Sequence, residues 1–121
     1  MSLQNNTIVK YLERTVIGIL PILVIFTGNN ITKQMYESLR NEIDWEHNPP
    51  KGAIFHAAAF DDAGNTVHVA NVWESEEDLN NFVGSRLMPY MINNKIPEPK
   101  VEIFQINDVS AFAGIDKYRV G

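Results

Sequence analysis

The stretch AIFHAAAFDDAGNTVHVANVWES, residues 53–75, decides the fold of this chain. It holds two apolar runs of strand type, joined by Asp, Gly and Asn residues that favour a tight turn, and so predicts a β-hairpin. Successive side chains of a strand point to opposite faces, and both faces of the first strand are largely apolar. The odd positions carry Ala53, Phe55, Ala57 and Ala59, and the even positions carry Ile54, His56, Ala58 and Phe60. Such a hairpin needs cover on both sides.

Two further strands are predicted around the hairpin. Residues 20–27 form a nearly continuous β-branched and aromatic run, with Pro21 at the start, where a missing N–H is tolerated. Residues 101–106, VEIFQI, give the fourth strand. Both runs are of strand length, and they flank the helical patterns described next.

Helical spacing of apolar residues predicts two helices. The first covers residues 32–43 with Thr32 as its N-cap. The second begins after Ser75, which is followed by three acidic residues that complement the helix dipole and form a capping box with Asp78. Pro89 predicts a kink or a break near the end of this helix.

The resulting order, βαββαβ, predicts an α+β, ferredoxin-like fold: an antiparallel sheet with two helices on one face. We assign residues 17–113 to this domain, residues 1–16 to an N-terminal arm or short helix, and residues 114–121 to a tail. Because the face away from the helices is also apolar, we expect a homodimer in which two sheets pack face to face.

Composition excludes several classes of function. The 121 residues carry a formal net charge of −5 with no cationic run, so we expect no nucleic-acid binding. Without cysteine, disulfides, thiolate nucleophiles and cysteine-ligated metals are excluded, and a cytoplasmic location is expected. The apolar residues 15–26 are too few to span a membrane, which takes about 20. We predict no metal site, because the three histidines lack ligand spacing, and we also expect no cofactor.

His56 is the first candidate for chemistry. It lies in an otherwise apolar strand, where an imidazole must hydrogen-bond. It is either an acid or base in a ligand pocket or a structural histidine satisfied by its neighbours. The turn decides its partners: an even loop, residues 62–65, places His56 opposite Asn71 and near Trp73, whereas an odd loop pairs it with Ala70. We favour the even loop.

Three further residues complete the predicted pocket. Asn71 is either a donor that orients a ligand or a partner in a cross-strand hydrogen bond. Trp73 is either a pocket wall or core packing. Arg86, on the apolar stripe of the second helix, either binds an anionic substrate or pairs locally. With His56 these residues would form the polar lining of a largely apolar cavity.

The residues Val72-Trp73-Glu74-Ser75 at the end of the hairpin and Arg86-Leu87-Met88-Pro89 in the second helix resemble the dimeric α/β-barrel superfamily over about residues 20–113. This resemblance implies two sheets that close into a barrel across a dimer, with a pocket in each protomer. Members include antibiotic-biosynthesis-type monooxygenases that need no cofactor, haem-degrading enzymes, and isomerase-like and uncharacterised proteins.

Trp73 matches a pocket tryptophan of the haem-degrading members. Their asparagine on the first strand and histidine on the second helix have no counterpart here, so haem degradation is not expected. For the GAIFHAAAF stretch, the resemblance implies a pocket histidine at His56. Two hypotheses remain: an oxygenase- or isomerase-like enzyme that acts on a small, largely apolar molecule, and a non-catalytic ligand-binding or assembly module in which His56 is structural.

Overall fold

The computed structural model describes residues 20–120. Four antiparallel strands form one sheet in the order β2-β3-β1-β4. The strands are β1 Ile22–Asn29, β2 Ala53–Phe60, β3 Thr66–Trp73 and β4 Lys100–Gln105. The helices are α1 Lys33–Ile43, α2 Glu76–Phe82, α3 Met88–Asn93 and a 3₁₀ helix Ala113–Tyr118, with a π-helical turn Val83–Leu87 between α2 and α3. The predicted ferredoxin-like fold is confirmed; the predicted arm, residues 1–16, lies outside the described residues.

Both predicted helix caps are confirmed. The Thr32 hydroxyl oxygen accepts the N–H of Met35 at 3.2 Å, and the Ser75 hydroxyl oxygen accepts the N–H of Asp78 at 3.1 Å. Each cap satisfies one of the N–H groups that an α-helix leaves unpaired in its first turn. Side chains that can accept such a bond therefore fix where α1 and α2 begin.

The second helix is distorted one turn before Pro89 and continues through the proline. The N–H of Met88 donates to the carbonyl of Val83, five residues back, which widens the helix into the π-helical turn. Pro89 then stands in the first turn of α3. Proline has no N–H to donate, so the helix lacks one backbone hydrogen bond at Pro89. The widened turn lies next to this position.

The hairpin has the register predicted for an even-length loop. The Asp61 N–H donates to the Thr66 carbonyl at 3.1 Å, which leaves residues 62–65 as the loop and pairs His56 with Asn71. The Asp61 carboxylate accepts the N–H groups of Thr66 at 3.1 Å and Asn65 at 2.9 Å, and these bonds lower the pKa of Asp61. At the other end of β2, a bulge at Ile54 lets Ala53 pair with Trp73.

Both helical segments pack on one face of the sheet. One cluster joins α1 and α3 to β3 through Tyr36, Leu39, Met91, Val67 and Val69. A second cluster joins α2 to the same face of β1 and β3, through Ile22, Val24, Trp73 and Leu79. This is the face that carries His56, because residues paired across antiparallel strands point to the same side.

The opposite face, called the open face below, changes character along the strands. Its first cross-strand row is apolar across all four strands: Phe55, Val72, Leu23 and Phe104. The middle row has smaller side chains and one acid: Ala57, Ala70, Ile25 and Glu102. The third row is the most polar: Ala59, His68, Thr27 and Lys100. The open face thus has an apolar end and a polar end.

Candidate functional site

The candidate site begins with the cross-strand pair of His56 and Asn71. The His56 Nδ1 and the Asn71 Oδ1 are 2.9 Å apart. Asn71 is 7% exposed, and its partner on β1, Val24, has no exposed surface. An amide in such surroundings needs a hydrogen-bond partner, and His56 supplies it. The even loop brings these two side chains together, as predicted from sequence.

Tyr36 of α1 completes a chain of three side chains. Its hydroxyl lies 2.8 Å from the Nε2 of His56. A carbonyl oxygen can only accept, so the bond to Asn71 places the imidazole proton on Nδ1. Nε2 then holds a lone pair and accepts a hydrogen bond from the Tyr36 hydroxyl. The order of donation is Tyr36 to His56 to Asn71.

Burial keeps this chain uncharged. Desolvation lowers the pKa of His56 below its ordinary value of 6.5; the hydrogen bond to Asn71 opposes this shift, Arg40 adds to it, and Glu46 opposes it. Burial likewise raises the pKa of Tyr36 to about 12. At neutral pH, His56 is therefore a neutral imidazole that accepts a hydrogen bond from a neutral phenol.

Aromatic rings surround His56 on the helix side. The ring of Trp45, in the loop after α1, lies 4.9 Å from that of His56, and the ring of Phe60 meets Tyr36 edge-on at 5.6 Å. Arg40 and Glu46 form an ion pair next to this cluster. The indole N–H of Trp45 is buried, and no residue in the described part of the chain accepts it. The surroundings are thus apolar apart from a few hydrogen-bonding groups.

Trp73 shares a strand and a face with Asn71 but belongs to the second packing cluster. Its ring contacts Phe82 at 5.4 Å and packs with Ile22, Val24 and Leu79. The tryptophan beside His56 is Trp45. Trp73 therefore packs in the core here, and its predicted role as a pocket wall stays a prediction.

Arg86 is engaged within the fold. Its guanidinium donates to the backbone carbonyl of Ile43 at 2.8 Å and lies 5.4 Å above the ring of Phe82. It thereby satisfies a carbonyl at the C-terminal end of α1, where a cation is favoured. Of the four residues predicted for the pocket, the structure joins His56 to Asn71 directly and leaves Trp73 and Arg86 in a neighbouring cluster.

A depression of about 250 Å³ opens on the other side of the sheet. Its wall is almost wholly apolar and consists of Ile25, Ala57, Ala58, Ala59, His68, Val69 and Ala70. The small alanine side chains leave this part of the sheet surface lower than its surroundings. The depression lies on the open face, away from the hydroxyl of Tyr36.

Within residues 20–120, no group of three metal-ligating side chains is close enough to hold an ion. Over the same residues, no helix has both the length and the apolar character required to cross a bilayer.

Sequence reasoning missed Tyr36 and Trp45 as neighbours of His56. The helical pattern places Tyr36 on the apolar stripe of the first helix, and its hydroxyl was the available signal. A phenol on a buried stripe needs an acceptor, and the facing strand offered a histidine. Trp45 gave no such signal, because its position depends on how the loop after α1 folds back.

No protein-family model matches this sequence, and no curated protein matches it either. Solved structures do match its fold. SnoaB, a cofactor-independent oxygenase from Streptomyces nogalater, is 12% identical, with a TM-score of 0.57 over 74% of this chain and 94% of its own. A Nitrosomonas europaea protein of unknown function is 11% identical, with a TM-score of 0.59 over 80% of this chain and 99% of its own.

A candidate antibiotic biosynthesis monooxygenase from Chloroflexus aurantiacus is 11% identical, with a TM-score of 0.56 over 75% of this chain and 97% of its own. The chain therefore has the ferredoxin-like fold of the antibiotic-biosynthesis-monooxygenase-like proteins. At these identities the likeness concerns the fold, and the neighbours include an oxygenase as well as proteins without a known function.

Proposed function

We propose that this protein binds a small, largely apolar molecule beside Tyr36, His56 and Asn71 and acts on it as a cofactor-independent oxygenase- or isomerase-like enzyme. The observation that carries this proposal is the hydrogen-bond chain of Tyr36, His56 and Asn71, in which a buried and neutral His56 directs its Nε2 lone pair at an ionisable hydroxyl. Because its pKa is lowered, the imidazole is unprotonated at neutral pH and is available as a general base. The likeness of fold to SnoaB supports the oxygenase class.

The geometry suggests a route for the proton. The bound molecule gives a proton from an acidic C–H or O–H to the Tyr36 oxygen, while Tyr36 passes its own proton to the Nε2 of His56. The resulting imidazolium has its Nδ1–H on the Asn71 carbonyl, which stabilises the added charge. Asn71 is thus a positioning residue, and His56 is the base.

Two outcomes follow from the substrate anion. An isomerase returns the proton to a different atom of the substrate. An oxygenase lets the electron-rich anion reduce O₂: a CH₂ group becomes a C=O group, one oxygen atom enters the product, and the other leaves as water with the two hydrogens. The substrate itself supplies the electrons, so neither route requires a cofactor. We infer an apolar substrate with an activated C–H.

A screen of apolar aromatic compounds with acidic C–H groups, read by oxygen consumption and product analysis, tests this proposal. For any compound that turns over, His56→Gln should reduce the rate about 10²- to 10⁴-fold, the contribution of a general base. Tyr36→Phe should reduce it as well. His68→Gln, which changes an exposed histidine on the open face, is the matched control and should leave the rate unchanged.

The pH dependence is part of the same test. Only the neutral imidazole accepts a proton, so turnover should hold at neutral pH and fall as the pH drops through the lowered pKa of His56. Full turnover by a correctly folded His56→Gln variant would exclude His56 as the base.

The second candidate is a non-catalytic ligand-binding or assembly module. It is favoured by one observation: both ring nitrogens of His56 already have partners, as in a structural histidine. Binding of a compound without turnover, equal in the wild type and in His56→Gln, would support this alternative.

We also propose that the protein is a homodimer that buries the open face. Phe104 and Phe55, in the apolar row of that face, are 50% and 39% exposed in the single chain. A monomer seldom exposes a continuous apolar surface of this kind. A second copy offers the same apolar surface, and a two-fold dimer is the most common way to bury it.

A further inference from the structure

The indole N–H of Trp45 is a hydrogen-bond donor that the fold leaves unpaired beside His56. It is buried, and no residue in the part of the chain that the structure describes accepts it. Nearly all buried polar side-chain atoms in proteins have a partner, because a buried donor without one has lost its bonds to water and gained none. The ring that carries this N–H lies 4.9 Å from the ring of His56 and 6.1 Å from that of Tyr36. An unpaired donor thus adjoins the two groups that the proposed reaction uses.

Trp73 carries the other buried side-chain N–H that lacks an acceptor within residues 20–120. Its side chain is 3% exposed and packs with Ile22, Val24 and Leu79 in the second cluster. Both tryptophans therefore have an unpaired donor, and Trp45 is the one whose ring packs on His56. Trp73 offers an internal comparison for any measurement on Trp45.

The backbone on both sides of Trp45 is fixed. Asp44 ends α1 with φ 58°, in the left-handed region, and its N–H donates to the carbonyl of Arg40 at 2.8 Å. The carbonyl of Asp44 accepts the N–H of Asn48 at 2.9 Å, and Arg40 forms an ion pair with Glu46. These contacts hold the loop that places Trp45 beside His56. The donor is therefore in position before any ligand arrives, as a preorganised binding group must be.

The chemistry of an indole defines what this donor can bind. An indole donates one hydrogen bond, accepts none and carries no charge, so its partner must be an acceptor. Two acceptors of the proton chain, the Asn71 Oδ1 and the His56 Nε2, are already engaged with other donors. An oxygen of the bound molecule can supply the missing acceptor. If that oxygen belongs to a carbonyl group, it also makes the adjacent C–H acidic, because the electron pair left by the proton is delocalised onto the oxygen.

We infer that the indole N–H of Trp45 binds an oxygen of the substrate, and that the substrate is an enolisable carbonyl compound. This inference rests on the proposed function and names its substrate class. The C–H proton passes to the Tyr36 oxygen, and the Tyr36 proton passes to the Nε2 of His56. The electron pair of the broken C–H bond forms the C=C bond of an enolate, and the π pair of the C=O bond moves to the oxygen that Trp45 holds. A fixed donor at this growing negative charge stabilises the transition state more than the bound substrate.

The NMR signals of the indole N–H groups test this contact. The chain has two tryptophans, so the ¹⁵N-labelled protein shows two such signals, and Trp45→Phe identifies the one from Trp45. The probes are 1,3-indanedione, a bicyclic diketone that readily forms an enolate, and indane, the same ring frame without oxygen. The Trp45 signal should move downfield and saturate with 1,3-indanedione, and indane should not produce this shift. A Trp45 signal that does not move with the diketone, or that moves equally with indane, would overturn the inference.

Binding to variants gives a second measurement. Trp45→Phe keeps an aromatic ring beside His56 and removes the N–H. It should weaken the binding of 1,3-indanedione about tenfold or more, which is the contribution of one hydrogen bond to a charged group, and leave any binding of indane unchanged. Tyr118→Phe removes a polar hydrogen from a side chain that is 82% exposed, and as the matched control it should change neither. Equal binding of the diketone by the wild type and a folded Trp45→Phe variant would refute the role of the N–H.

The failure of this inference is distinct from the failure of the proposed function. His56→Gln removes the base and leaves the donor, so the downfield shift of the Trp45 signal should persist while turnover is lost. For a compound that turns over, Trp45→Phe should lower kcat about 10²- to 10³-fold with a smaller change in KM. Turnover that is lost in His56→Gln and unaffected in Trp45→Phe would keep His56 as the base and refute the role of Trp45. A downfield shift in a protein that turns over no compound would keep Trp45 as an oxygen-binding donor and exclude the enzyme.

Discussion

At the scale of single residues, the neutral state of His56 links stability to pH. Its pKa in the folded chain lies below 6.5, the ordinary value, because burial penalises the imidazolium. Between these two pKa values, the unfolded chain binds a proton that the folded chain does not. The free energy of unfolding should therefore be steady above about pH 6.5 and fall as the pH drops below it, by at most about 1.4 kcal/mol per pH unit from this group.

Urea unfolding of the wild type and of His56→Gln at several pH values measures this contribution. The difference between the two curves removes the effect of every other titrating group. It should narrow as the pH falls below 6.5, because the variant has no imidazole to protonate. A difference that stays constant from pH 7.5 to 5 would show that His56 titrates alike in the folded and unfolded chain.

The side chain at position 71 should affect both the pKa of His56 and the free energy of unfolding of the protein. Asn71→Ala leaves the Nδ1–H of His56 without its acceptor and should cost about 1–3 kcal/mol in the free energy of unfolding.

Asn71→Asp puts a carboxylate at the same place and should raise the pKa of His56. Trp45 reports on this: its ring is 4.9 Å from His56, and imidazolium quenches indole fluorescence. A pH titration of fluorescence in a Trp73→Phe background, for both Asn71 variants, gives the midpoint.

An unchanged midpoint in the Asn71→Asp variant, in a protein shown to be folded, would contradict the bond between the Nδ1 of His56 and the side chain at position 71. His56→Gln in the same background should show no titration in this range. This control separates His56 from the other groups near Trp45.

At the scale of secondary-structure elements, two glycines with positive φ hold the ends of the hairpin. Gly64, in the turn, has φ 73° and open space where a Cβ would stand; Gly52, before β2, has φ 83° and the carboxylate of Asp78 against that position. Gly64→Ala should therefore cost about 1 kcal/mol from backbone strain alone. Gly52→Ala should cost clearly more, because a clash with Asp78 adds to the strain.

Thermal or urea unfolding of the two variants checks this order. The Cβ of Asp78 also stands against this position, so the double variant Gly52→Ala with Asp78→Gly, which removes that atom as well, should recover the part of the loss that is due to the clash, relative to Asp78→Gly alone. An equal loss at Gly52 and Gly64, or no recovery in the double variant, would show that the packing of Asp78 on Gly52 is immaterial.

The same elements show how far the sequence could predict the fold. The order of strands and helices, the caps at Thr32 and Ser75, and the pairing of His56 with Asn71 all follow from local patterns, since a cap or a turn is set by a few adjacent residues. The π-helical turn, the bulge at Ile54 and the 3₁₀ helix carry no comparable local signal. Neither does the packing of Trp45 on His56, which depends on how a loop closes over the finished sheet.

At the scale of the whole molecule, the open face is apolar at one end and polar at the other. A matched pair of substitutions, one at each end, therefore tests the proposed homodimer. Phe104 and Lys100 lie on the same strand and the same face, at the apolar and the polar end respectively. Phe104→Glu should weaken the dimer about 100-fold or more, because two copies each lose about 1.5–3 kcal/mol of burial. Lys100→Glu makes a larger change of charge at the polar end and should have a much smaller effect.

Light scattering over a dilution series gives the mass and the dissociation constant of each variant. The wild type should have twice the 13.7 kDa of one chain at micromolar concentration. Phe104 is half exposed in the single chain, so Phe104→Glu should leave the fold intact, which circular dichroism verifies. A wild type of 13.7 kDa would refute the homodimer. A dimer that Lys100→Glu weakens as much as Phe104→Glu would refute a two-fold axis that runs along the strands, because that arrangement alone brings the two apolar rows together and leaves the polar rows at the other end.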